Sequence, residues 1–154
     1  MGLENEFIWR LLIATLLGGL LGLERSLAGK HAGMRTYALV SLGSALFVCL
    51  GTLASFQLAA FFGAINPLQI AGSIVIGIGF IGSGLAVFRG EHPVELTTAS
   101  GIWVVAGIGM AAGFGFTSLA FAATILGVLV FSLLARVEHT LRVRFGTSYN
   151  NAAE

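Results

Sequence analysis

Five apolar runs dominate this chain, at residues 7–23, 37–56, 68–88, 98–114 and 118–135, and Arg10 is the one charged residue inside any of them. A helix needs roughly 20 such residues to cross the hydrocarbon core of a bilayer, and an ionisable group held at that depth is costly. The 154 residues are 56% hydrophobic and 10% charged, whereas a soluble domain carries about 25% charged residues. An aqueous core of this size could not hide so many apolar side chains, because small folds leave much of their surface wet. The solvent that fits is lipid. The expected fold is all-α, a polytopic transmembrane helix bundle of five spans occupying 1–135, with a short cytoplasmic tail at 136–154. The 22 glycines beside two prolines suit closely packed membrane helices.

Orientation follows from the cations. Arg25, Lys30, Arg35, Arg89, Arg136, Arg142 and Arg144 fall on one side of a five-span arrangement and only Arg10 on the other. That bias places the N-terminus outside and the C-terminus in the cytoplasm. Arg10, one turn into the first run, is expected to snorkel to the interface. Glu4 and Glu6 stand where a cleavable signal would be positive, so the first span is expected to be retained. Gly115-Phe116-Thr117 separates the last two runs as a tight helical hairpin, and Asn66-Pro67 marks a turn and helix start. A net charge of +1 supplies no field for nucleic acid. Cys49, alone in an apolar run, reads as a small buried residue and not as part of a disulfide or metal site.

Three glycine patterns lie within the spans. Gly77, Gly79 and Gly82 match the dinucleotide fingerprint G-x-G-x-x-G, but that pattern has meaning only between a strand and a helix. Inside an apolar run, these glycines and Gly84 read instead as a small-residue packing face. Gly18 with Gly22 and Gly109 with Gly113 form GxxxG pairs, which bring helices into close contact within one bundle or between copies. A homo-oligomer, most simply a dimer, is the expected assembly.

Polar chemistry collects at the cytoplasmic ends of the spans. Glu24 and Arg25 follow the first run directly, and Arg35 and Thr36 precede the second. An ion pair of Glu24 with Arg35, or with Arg25, would satisfy charges at that depth; the alternative is a vestibule for an ion, a proton or a partner residue. Thr97 or Thr98 is a natural N-cap for the fourth span. Together with Ser100 these hydroxyls also suit a small anion or carboxylate at a positive helix end, with Glu24 one group able to fill it. His31, His92 and His139 have no metal-ligand spacing, so no metal or cofactor is expected. The spans hold no acidic residue or lysine at mid-depth, and their hydroxyls, Ser73, Ser83 and Thr124, are scattered. Both facts weaken a reading as an ion channel or transporter for magnesium or protons. Aspartate is absent and no nucleophile has a base beside it, so an enzyme is not expected.

Three ordered blocks, LLGLERSLAGKHAGMRTYALVSLGSALF, IAGSIVIGIGFIGSGLAVFRG and LTTASGIWVVAGIGMAAGFG, resemble the MgtC/SapB family of bacterial inner-membrane proteins across residues 16–135. The resemblance implies an inner-membrane protein associated with growth in low magnesium, virulence and acid survival. It implies a regulator more than a pump, with the membrane-embedded ATP synthase as a partner by analogy with the best-known member. The family's polar blocks fall on Glu24 and Arg25, on Gly33, Arg35 and Thr36, and on Leu96, Thr97, Thr98 and Ala99. In two respects the chain departs from the pattern. Many members continue into a soluble ACT-like domain that is not expected here, and Glu95 stands where the family often has glycine.

Overall fold

A computed structural model describes residues 3–62, 66–85, 87–89, 92–94 and 96–145. In chain order its helices are α1 (Leu3–Leu27), α2 (Met34–Gln57), the short α3 (Ala59–Phe62), α4 (Pro67–Leu85), α5 (Leu96–Gly113), α6 (Thr117–Leu129) and α7 (Ala135–Phe145), with a π-helical turn at Val130–Leu134 joining the last two. Five stretches are long and apolar enough to cross a membrane, the fifth running from Thr117 to Arg144. The five-span all-α bundle expected from sequence is therefore the observed architecture.

Residues 87–89 and 92–94 differ from expectation. Helix α4 ends at Leu85, short of residue 88, and Val87–Arg89 (β1) pairs antiparallel with His92–Val94 (β2), Val87 opposite Val94 and Arg89 opposite His92. Valine and phenylalanine favour extended backbone, and Pro93 suits a two-stranded ribbon, where each strand is an edge.

Helices α1, α2 and α5 make the centre of the bundle; α6 packs on α1 and α5, and α4 packs more lightly on α2 and α5. On α1 the inward stripe is Ala14, Leu17, Leu21 and Arg25, while Leu12, Leu16, Leu20, Leu23 and Leu27 are exposed. An outward face of leucines is stable only against lipid.

Glycines set how closely the central three helices meet. A Cβ on Gly18 would lie 2.5 Å from the Ser41 Cβ, and one on Gly22 would lie 2.6 Å from the Tyr37 Cβ and 2.8 Å from the Met34 Cα. From the other side, a Cβ on Gly113 would meet the Ala45 carbonyl oxygen at 2.9 Å, and Gly109 is pressed against the Ser41 backbone. Both GxxxG pairs thus clamp α2 inside a single copy of the chain.

Helix ends are closed locally. Helix α1 ends in a Schellman motif, with Gly29 N–H donating to the Ser26 carbonyl, Lys30 N–H to the Arg25 carbonyl, and Gly29 at φ 69°. Helix α5 ends the same way, through Gly115 to Ala112 and Phe116 to Ala111, with Gly115 at φ 88°. A left-handed residue costs an L side chain about 1–2 kcal/mol. Gly115→Ala is accordingly expected to lower stability by about that amount, read as a lower melting temperature in detergent. Asn66 caps α4, its Oδ1 accepting from Leu68 N–H at 3.0 Å ahead of Pro67 in the first turn. Helix α2 borrows its cap: Met34 N–H donates to the Ser26 Oγ at 2.8 Å.

Arg10 does more than reach for the interface. Its Nη1 donates to the Gly113 carbonyl at 2.9 Å and its Nη2 pairs with Glu6, so a cation sits on the negative end of the α5 dipole. Most hydroxyls within the spans donate back to their own helix, among them Thr15 to Leu11, Ser73 to Gln69 and Thr124 to Ala120. Such bonds are how a lone hydroxyl is tolerated in hydrocarbon.

Candidate functional site

At the end of the bundle opposite Arg10, α1 carries Glu24 and Arg25, and Arg25 meets the π-helical turn through Phe131. Arg25 is 4% exposed. Its Nε donates to Glu24 Oε2 at 2.5 Å, and its guanidinium carbon lies 3.8 Å from the centroid of the Phe131 ring. A buried guanidinium is held by charge pairing on one edge and by the ring's negative face on its plane.

Phe131 reaches Arg25 from the π-helical turn. One extra residue in a helical turn re-aims the side chains beyond it, and such turns are rare outside functional or strained places. The tip of the same ring lies against Gly101, where a Cβ would lie 2.5 Å from Phe131 Cζ and would overlap the Tyr37 hydroxyl. Tyr37, fully buried, donates that hydroxyl to the Thr98 carbonyl at 3.0 Å. Arg25, Phe131, Gly101, Tyr37 and Thr98 therefore form one connected knot across α1, α2, α5 and the π turn. Tyr37→Phe removes its buried hydrogen bond and is expected to cost about 1 kcal/mol, measurable as a lowered melting temperature with an unchanged oligomeric state.

The knot sorts the residues singled out in the sequence. Glu24 pairs with Arg25, and among the described residues no ion pair joins it to Arg35. Arg35 is exposed on α2, one turn before Leu39. Thr36 is half-buried. Helix α5 begins at Leu96, so Thr97 and Thr98 lie inside its first turn and neither is the N-cap. Thr98 is buried in the knot, whereas Thr97 is exposed and lines a cavity of about 540 Å³ between α5 and α6 together with Ser100, Gly101, Val104, Leu126 and Phe131. Among the described residues no group of three His, Cys, Asp or Glu is placed to hold a metal. His31 and His139 are exposed, and the side chain of His92 lies outside the described residues.

The glycines of α4 contrast with those of α1 and α5. Among the described residues a Cβ on Gly77, Gly79 or Gly84 would meet nothing within 4 Å, and one on Gly82 would only reach the Ala99 carbonyl at 4.0 Å. Of the α4 span 6% is buried, against 50% of α5. A groove of about 660 Å³ runs between α4 and α2, lined by Leu39, Gly43, Phe47, Ile74, Gly77 and Ile81 among others.

Tyr37, Phe131 and Gly101 were not singled out by sequence reasoning. Tyr37 carried a usable signal, since a tyrosine at the start of an apolar span needs a partner for its hydroxyl. Phe131 carried none, because the π turn that aims it has no local sequence mark.

Five membrane-crossing helices around a small-residue core, with a buried arginine paired to a half-buried glutamate at one end, define a multi-pass membrane protein. The chain belongs to the MgtC family, whose model matches residues 11–140. It is 37% identical over 137 residues to YhiD of Escherichia coli (strain K12), whose descriptive name proposes magnesium transport; the match covers 88% of this chain and 64% of that protein. It is 40% identical over 121 residues to MgtC of Brucella abortus, covering 79% of this chain and 48% of the relative. It is also 37% identical over 145 residues to SrpB of Synechococcus elongatus, covering 88% and 79%. The chain thus spans about half to two thirds of the length of the first two. None of the three names is that of an enzyme. No solved structure matches the chain.

Proposed function

We propose that this chain is a non-catalytic regulatory protein of the bacterial inner membrane, acting when magnesium is scarce or the medium is acid, and that it works by packing α4 against another transmembrane segment. The observation that carries this reading is the bareness of α4: 6% of the span is buried and a Cβ on its glycines meets nothing closer than 4.0 Å among the described residues, while the GxxxG pairs of α1 and α5 are consumed internally. Helices associate in lipid through close van der Waals contact between small-residue faces, so a bare face of this kind is a surface for another helix. A second copy of the chain, or a membrane complex such as the ATP synthase, would supply that helix. The end bearing Glu24 and Arg25 would face the cytoplasm, where its excess of Lys and Arg belongs.

The test uses Gly77→Leu combined with Gly84→Leu. The double variant is expected to melt like the parent in detergent, since among the described residues a Cβ at either position meets nothing within 4 Å, and to fail to restore growth in low magnesium or acid to a strain lacking the gene. Full restoration would overturn the reading. The rival, a pathway for magnesium or protons, draws on the name of the E. coli relative and predicts flux in proteoliposomes. Against it stand a buried cation, Arg25, at one end of the bundle and hydroxyls turned back onto their own helices.

A further inference from the structure

Arg25 uses only part of its chemistry. A guanidinium carries five N–H donors, and the terminal amino groups of Arg25 keep some exposure, since among the described residues the fully buried side-chain polar atom without a partner is Ser41 Oγ. Here the Nε is engaged on Glu24 and the Phe131 ring covers the plane, but among the described residues neither terminal amino group of Arg25 has a hydrogen-bond acceptor. The unused edge is the one away from the Glu24 carboxylate. A planar fork of N–H groups of this kind matches two oxygens of a phosphate.

The second observation is independent of the first. The 540 Å³ cavity extends along α5 from Leu96 to Val104, about 12 Å of helix at 1.5 Å per residue. Its polar end carries the hydroxyl-bearing Thr97 and Ser100; below them the walls are apolar. Val104, Leu126 and Val130 are each more than a third exposed, so the cavity opens sideways into the bilayer. Phe131 links the two features, since the ring stacked on Arg25 also lines the cavity.

We infer that an anionic phospholipid binds at this end of the bundle, its phosphate on the terminal amino groups of Arg25 and one acyl chain in the cavity between α5 and α6. A free phosphate would use the fork but leave the apolar trench without purpose; a lipid uses both. This inference is independent of the contact surface assigned to α4.

The purified full chain in non-ionic detergent is the material for the test, melted with phosphatidylglycerol, phosphatidylcholine or inorganic phosphate added. A ligand that binds only the folded state raises the melting temperature by mass action. Phosphatidylglycerol is expected to raise it by several degrees, with little effect from the other two. Ser100→Phe, which fills the cavity from an exposed position and leaves Arg25 in place, is expected to abolish the shift, and Arg25→Lys to reduce it. The inference is overturned if phosphatidylcholine shifts the melt equally, if inorganic phosphate alone reproduces the shift, or if Ser100→Phe retains it in full.

Discussion

Gly109→Val is expected to abolish the folded bundle. A Cβ at this position would lie 2.8 Å from the Ser41 carbonyl carbon and 2.9 Å from its Cα. Both are backbone atoms, so no rotamer change relieves the contact. Nor can α2 retreat, because Gly18 of α1 is pressed against the opposite side of the same residue, with 2.5 Å to the Ser41 Cβ for any added methyl. Overpacking a core that can adjust costs about 1–3 kcal/mol. A contact trapped between two helices sits at or above the top of that range, a large part of the roughly 5–15 kcal/mol that holds a domain together. The expected readout is loss of the monodisperse peak and of cooperative melting in detergent. Gly77→Val, the same chemical change on α4, is expected to stay within about 0.5 kcal/mol of the parent, because no described residue lies within 4 Å of the added Cβ.

The second large effect is expected at Arg25. Arg25→Ala leaves the Glu24 carboxylate without its partner and strips one face of the Phe131 ring. Removing one member of a buried pair costs about 3–5 kcal/mol because the remaining charge is uncompensated. The Glu24 side chain keeps 20% of its exposure, which puts the expectation near the lower figure. A double variant, Glu24→Gln with Arg25→Met, is expected to be more stable than Arg25→Ala alone, since neither charge is then stranded. If both melt alike, the pair contributes nothing and the knot is held by Tyr37 and Phe131 packing.

The spans were legible because lipid imposes a simple rule, an apolar run of fixed length with charges at its ends. The split at Gly115 was legible for a local reason, the left-handed residue that a Schellman motif requires. Partner choice was harder. Glu24 could reach Arg25 or Arg35 by sequence alone, and the choice was made by the helical phase of α1 and α2. Arg25 continues the inward stripe of Leu17 and Leu21, while Arg35 precedes the outward Leu39. The glycines divide by context that sequence does not carry. Those of α1 and α5 are pressed against α2, whereas a Cβ on those of α4 finds open space or, at Gly82, no more than a 4.0 Å approach to Ala99 among the described residues. Residues 87–89 and 92–94 pair as a ribbon where the end of the third span and a polar loop were expected, because strand pairing depends on the two short segments being brought side by side.

Cysteine cross-linking in native membranes is the most direct measurement of whether α4 is the contact surface. With Cys49 replaced by alanine, single cysteines would be placed at Gly77 and Gly84 on α4 and at Leu16, which is 71% exposed on α1. The α4 positions are expected to give a discrete cross-linked species, to the chain's own copy or to a partner, while the Leu16 position remains uncross-linked. Equal cross-linking at Leu16, or none at either α4 position in membranes where the parent protein is functional, would contradict the account.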